Sequence, residues 1–212
     1  PDNENPSSSG GNRYINDLKQ AQKASMNQSH SGFPMYTFGL ALAFLLLVAF
    51  VISQTVSAPE GQLSLLIIAA VIGGYMALNI GANDVANNMG PAVGGGVISV
   101  GTAIVIAVVC ESAGALLAGG DVVKTVAKGI ISPDESLSVE SFRTLMVCAL
   151  LAAALWINLA TALNAPVSTT HSIVGGVLGG GIAAAGMAVV NWPTMGKIAA
   201  SWVISPVIGG LI

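Results

Sequence analysis

An aspartate and three asparagines, Asn83, Asp84, Asn87 and Asn88, stand inside a stretch that is otherwise Ile, Gly, Ala, Val and Met. On a helix, Asn83 and Asn87 stack on one face, as do Asp84 and Asn88, because residues four apart are neighbours. Carboxylate and amide oxygens are hard donors that suit a hard cation such as sodium, and the carboxylate can instead carry a proton. A charged side chain at the centre of a bilayer costs about 2.5–3.5 kcal/mol on insertion scales. In an apolar setting, an aspartate ringed by amides therefore reads as an ion or substrate site. The bland alternative is hydrogen-bonded glue between helices. Gly81, Ala82 and Ala86 leave room for another helix or a ligand to approach the backbone.

A second polar cluster, Pro166-Val167-Ser168-Thr169-Thr170-His171-Ser172, precedes a fresh apolar run that starts Ile173-Val174-Gly175-Gly176. Pro166 interrupts the preceding helix, and a hydroxyl residue caps the next one. Unpaired N–H groups and the positive end of the helix dipole make such a start an anion site. The hydroxyls of Ser168, Thr169 and Thr170 add neutral donors. His171 reads as an orienting hydrogen-bond partner or a cytoplasm-facing polar tip rather than a proton carrier. Glu111, in Val108-Val109-Cys110-Glu111-Ser112, is a further buried-acid candidate, either joined to the polar core or near the outer end of its span. If Asp84 and the anion pocket share a cavity, the two repel unless a cation lies between them or the carboxylate is protonated. That arithmetic predicts cation-coupled anion uptake.

The elements that carry these clusters follow from where charge is absent. Only 8% of the 212 residues are charged, 53% are apolar, and the net charge is −3. Soluble domains carry roughly 25% charged residues, so a cytosolic globular enzyme and a disordered chain are excluded. There is no basic footprint for nucleic acid. Cys110 and Cys148 both lie in apolar runs and suggest neither a disulfide framework nor a metal site. No Asp, Glu, Lys or Arg occurs in residues 24–59, 61–83, 85–110 or 144–196. A helix needs about 20 apolar residues to cross a bilayer, which places spans at 36–54, 63–88, 98–118, 142–163, 173–190 and 195–212. Residues 1–34 read as a flexible polar tail, and 35–62 as an additional transmembrane helix with a short loop. Val56-Ser57-Ala58 resembles a signal-peptide cleavage site, but the apolar run before it exceeds the usual 7–15 residues, which favours a retained helix. Arg13, Lys19 and Lys23 put the tail in the cytoplasm by the positive-inside rule. The 119–141 linker, then external, carries Lys124 and Lys128 against that rule. A start at Pro1 and a stop at Ile212 inside an apolar run suggest a piece of a longer protein.

At these clusters the chain resembles the inorganic phosphate transporter (PiT) family of phosphate permeases and sodium-phosphate symporters. The shared run is Gly81-Ala82-Asn83-Asp84-Val85-Ala86-Asn87. The likeness continues at Glu111-Ser112-Ala113-Gly114, Lys128-Gly129-Ile130-Ile131, Pro166-Val167-Ser168-Thr169-Thr170-His171 and Ser201-Trp202-Val203-Ile204-Ser205-Pro206. The resemblance implies an all-α fold: a polytopic membrane helix bundle that is one of two inverted repeats, with a broken signature helix and a re-entrant helical hairpin. Residues 63–212 would be the first repeat, with the second missing. It further implies that Asn83, Ser168, Thr169 and Thr170 bind phosphate and that Asp84, Asn87 and Ser168 bind the cation. Sodium would sit at Asp84 and Asn87, with Glu111, Asn88 and His171 in coupling or the polar core. The expected partners are inorganic phosphate, sodium or a proton, the lipid of the plasma (inner) membrane and the missing C-terminal repeat. Assembly with a second copy stays open, and no cofactor is expected. Transport of sulfate or another oxyanion is the close alternative. Remoter ones are an intramembrane hydrolase using Ser168 with His171, and a non-transporting sensor or scaffold.

Overall fold

The computed structural model describes residues 35–59, 61–131 and 137–211. The expected polar tail, 1–34, lies outside the described residues. Two compact units divide the chain, residues 1–44 and 45–212. Helix α1, Met35–Thr55, begins in the first. The second holds α2 (Gln62–Gly94), α3 (Val100–Lys124) with a π-turn at Thr125–Gly129, α4 (Val139–Ala162), α5 (Thr169–Ala185), a 3-10 turn at Met187–Val189, and α6 (Trp192–Leu211). Among the described residues the architecture is all-α; the one β-type contact is an isolated bridge between Ile131 and Val190.

Serine starts three of these helices. Ser99, Ser138 and Ser168 each take an extended conformation and accept the N–H three residues on, from Thr102, Ser141 and His171 respectively. Each cap satisfies one of the N–H groups a helix start leaves unpaired. Gly186 closes α5 with φ 80° and ψ −175°, a conformation that glycine adopts without a steric penalty.

Among the described residues, four helices are long and apolar enough to cross a membrane: α1, α2, α3 and α4. Six spans were expected; the last two runs are also helical, with different bounds. The run at 173–190 resolves into α5, whose 17 residues rise only about 25 Å. The run at 195–212 forms α6, which starts three residues earlier, at Trp192. The third span also grows: helix continues past residue 118 to Lys124, through Gly119-Gly120. Backbone groups away from water must pair within the segment, and this outweighs the roughly 1 kcal/mol that glycine costs a helix.

The expected broken signature helix is likewise corrected. Helix α2 runs unbroken for 33 residues through the whole asparagine cluster and past Pro91. The side chains of Asn79, Asn83, Asp84 and Asn87 find partners without displacing the backbone ladder. Asn79 Nδ2 donates to Tyr75 O one turn back at 2.8 Å, and Asn87 Nδ2 donates to Asn83 Oδ1 at 2.9 Å. Pro91 comes only in the last turn, where few carbonyls remain to be disturbed.

The core lies around α4, which packs against α2 on one side and α5 on the other. Its buried stripe is Leu145, Ala149, Ala153, Ala154, Ile157 and Ala160, mostly alanine, so the neighbouring backbones come close. Met76 from α2 packs with Ala153, Ala154 and Ile157. On the other side, a Cβ added to Gly176 would sit 2.6 Å from Ala149 O, with no flexible group to yield. Gly176→Ala is therefore expected to force α4 and α5 apart and cost about 1–3 kcal/mol, seen as a lower unfolding midpoint in detergent. The segments after α3 and α5 meet at the end of this pair. Ile130, Ile131 and Val189 are wholly buried there, and Asn191 N donates to Ile130 O at 2.9 Å. Elsewhere the surface is apolar: α3 buries only Ala103 and Ala107 and exposes Ile104, Val105, Val108, Val109, Leu116 and Leu117. Lipid can take such a face; water cannot.

Candidate functional site

Along α2, Asn79 and Asn83 face α4 and are 5% exposed. Asn79 Oδ1 accepts from Asn158 Nδ2 of α4 at 3.0 Å. One turn further on, Asn83 Nδ2 donates to Thr161 Oγ1 at 3.0 Å and to Ala165 O at 3.4 Å. Asn83 Oδ1 accepts from Asn87 Nδ2 at 2.9 Å and from Val167 N at 3.4 Å. A primary amide has two donor hydrogens and two acceptor lone pairs, and Asn83 uses all four. It clamps the segment between α4 and α5 to the signature helix.

That segment is the break predicted at Pro166. Helix α4 ends at Ala162, Asn164 has φ 54°, and the chain runs without helix to Ser168. The next three hydroxyls then fan out, since successive helical residues are about 100° apart. Ser168 caps α5. Thr169 is 7% exposed and its Oγ1 donates to Asp84 Oδ2 at 2.9 Å. Thr170 points elsewhere, into a cavity of about 330 Å³ that it shares with Asp121, Thr125, Ser201 and Trp202. The backbone N–H groups of Thr169 and Thr170 have no acceptor among the described residues, so the positive end of α5 is open next to Asp84.

Asp84 is half-buried, and its partner is a neutral hydroxyl. The ion pair found among the described residues joins Lys124 to Asp121, both largely exposed. No basic side chain stands against Asp84 among the described residues. Asn87 borders a cleft of about 270 Å³ with Asn83, Thr161 and Asn164. Its Nδ2 is committed to Asn83, which leaves its carbonyl oxygen for a ligand.

The structure thus brings together Asn83, Asp84, Asn87 and Thr169, while the side chain of Ser168, next in the chain, lines a separate cavity with Trp156 and His171. It does not bring in the rest. Thr170 opens on a different cavity. Asn88 is exposed on α2, and Glu111 is exposed midway along α3; neither side chain makes a hydrogen bond or ion pair among the described residues. His171 contacts Ser168, with Nδ1 and Oγ 2.6 Å apart. Proximity alone does not make that pair hydrolytic: Ser168 is spent as a helix cap, and the ring meets Trp202 rather than a carboxylate. No group of three or more His, Cys, Asp or Glu that could hold a metal occurs among the described residues. Three participants escaped the sequence reading, namely Asn158, Thr161 and Trp202. The signal for the first two was present: an amide and a hydroxyl three apart in a charge-free apolar run.

Membrane-length helices that hold a carboxylate against an interrupted helix start define a polytopic membrane protein with an internal polar site. The chain belongs to the phosphate transporter family, whose sequence profile matches residues 80–212. A Helicobacter pylori (strain J99) protein, provisionally named a phosphate permease, is 49% identical over 199 residues, which are 93% of this chain and 36% of that one. A similarly named Mycobacterium bovis protein is 38% identical over 205 residues, 90% of this chain and 37% of its own. Among solved structures, the sodium-dependent phosphate transporter is 49% identical with a TM-score of 0.65, covering 70% of this chain and 37% of that chain. The chain spans a little over a third of the length of these relatives.

Proposed function

We propose that this chain supplies one half of a secondary carrier that moves inorganic phosphate across the membrane by symport with a cation, sodium or a proton. The observation that carries the reading is the Asp84–Thr169 contact. It joins the carboxylate of the signature helix to the open N-terminus of α5, so cation and anion ligands lie within one hydrogen bond of each other. Asp84 and the Asn87 carbonyl would hold the cation; Ser168, Thr169 and the free N–H groups of α5 would hold phosphate, with Asn83 fixing the segment between them. Thr170 would enter only if α5 turns. Alternating access exposes such a site to one side at a time, with the gradient shifting the populations. Site and mechanism use binding groups only, and no step calls for covalent chemistry.

A short α5 after a break suits a re-entrant hairpin, and irregular backbone is tolerated at membrane depth where it is buried in protein or lines a wet cavity. Inverted repeats that place the site between them would complete it, and the length of the relatives leaves room for a second copy. The plasma (inner) membrane is the proposed location. Phosphate is preferred to sulfate because Asp84 is an acceptor: a protonated phosphate can donate a hydrogen bond to it, and sulfate at neutral pH cannot. The test is uptake of radiolabelled phosphate by cells lacking their own phosphate carriers, with sulfate as competitor and the sodium and proton gradients collapsed in turn. Phosphate-selective uptake that stops with one gradient is expected. Uptake indifferent to both, or equal competition by sulfate, counts against the reading.

A further inference from the structure

Ser168 carries a constraint set by the number of atoms it can engage. Its Oγ accepts the backbone N–H of His171 at 3.2 Å, and the His171 ring nitrogen Nδ1 stands 2.6 Å away. A hydroxyl has one hydrogen and two lone pairs. The backbone N–H fills one lone pair, so the ring decides the rest. With Nδ1 as acceptor, the Ser168 hydrogen turns to the ring and only a lone pair faces outward. With Nδ1–H as donor, both lone pairs are filled and the hydrogen is forced outward, where only an acceptor can meet it. An oxyanion needs the second arrangement.

The ring is also held in place. It stacks on Trp202 of α6 with centroids 3.7 Å apart and planes at 26°. Ser168 and His171 line the same cavity of about 550 Å³, with Val167 and Trp156, which leaves room there for an acceptor to meet the Ser168 hydroxyl. We propose that His171 is a positioning residue: its Nδ1–H, steadied by the face of Trp202, commits the Ser168 hydroxyl hydrogen to the bound oxyanion. The proposal rests on the transport reading and adds to it a residue that acts through Ser168 rather than on the ligand. It also links α6 to the anion site, because moving Trp202 releases the ring.

The experiment is a double-mutant cycle in the intact protein reconstituted in liposomes, read as initial rates of radiolabelled inorganic phosphate uptake. His171→Leu is expected to raise KM for phosphate about fivefold, the size of one hydrogen bond, with kcat within about twofold. His171→Asn, whose amide can donate from near the position of Nδ1, is expected to recover most of the affinity. In a Ser168→Ala background, His171→Leu is expected to add nothing, since the two act as one unit. Should His171→Leu fold poorly, His171→Gln carries the cycle: a KM rise that vanishes with Ser168→Ala supports the proposal. An unchanged KM, or effects of the two sites that simply multiply, overturns it. Wild-type protein that moves no phosphate overturns the transport reading and this proposal together; wild-type uptake with an indifferent position 171 overturns this proposal alone.

Discussion

Asp84→Asn is expected to abolish concentrative phosphate uptake while the protein still inserts in normal amount. The substitution keeps the shape of the side chain, and the amide oxygen can still accept the Thr169 hydroxyl that now reaches Asp84 Oδ2 at 2.9 Å. Insertion becomes easier, because the 2.5–3.5 kcal/mol cost of a mid-membrane charge on insertion scales disappears. What is lost is the negative charge that, in the proposed mechanism, a travelling cation would neutralise. Without it the cation has no reason to enter, and the open end of α5 loses the positive neighbour that lets it hold an anion. Uptake in a phosphate-transport-deficient cell, normalised to the membrane content of the protein, checks the prediction; normal uptake by the variant contradicts it.

Asn83→Leu is expected to damage the structure as well as transport. Asn83 is 5% exposed and serves Thr161, Ala165, Asn87 and Val167 at once. A leucine fills the volume but strands the Ala165 carbonyl and the Val167 N–H, each costing about 1–3 kcal/mol when buried without a partner. Polar contacts between membrane helices average nearer 0.6 kcal/mol, so the net loss is put at about 2 kcal/mol. A lower thermal midpoint in detergent should accompany reduced uptake, because the clamp also fixes the segment that leads into α5. Asn83→Asp separates the roles: it keeps the acceptor for Val167 and Asn87 and loses the donors to Thr161 and Ala165. An unchanged midpoint in Asn83→Leu would mean the clamp is not holding the break.

The helices and both polar clusters were legible because charge is so scarce. Fifty-three residues without an Asp, Glu, Lys or Arg between Arg143 and Lys197 leave little choice but helices away from water. Within them, Pro166 and the serine cap announce a break that the structure places at 163–168. Continuity was harder to read. Asn83, Asp84, Asn87 and Asn88 look like helix breakers in a soluble chain, yet side-chain partners on α4 let α2 run through them. Direction was harder still. Ser168, Thr169 and Thr170 are one word in the sequence, but a 100° turn per residue sends them to three surroundings, and only Thr169 meets Asp84. Trp202 could not be paired with His171 from sequence, since a contact between residues so distant in the chain depends on how α6 returns across α5.

The central claim is that cation and oxyanion bind together because Asp84 and the start of α5 share one site. Such coupling is reciprocal: if the cation tightens phosphate, phosphate tightens the cation by the same factor. The direct measurement is the phosphate dissociation constant of the purified intact protein, taken across a series of sodium concentrations and again across a series of pH values. The account predicts that affinity rises steeply with one of the two cations in the wild type and is flat in Asp84→Asn. Wild-type affinity indifferent to both cations, or an Asp84→Asn variant that keeps the full dependence, would contradict it.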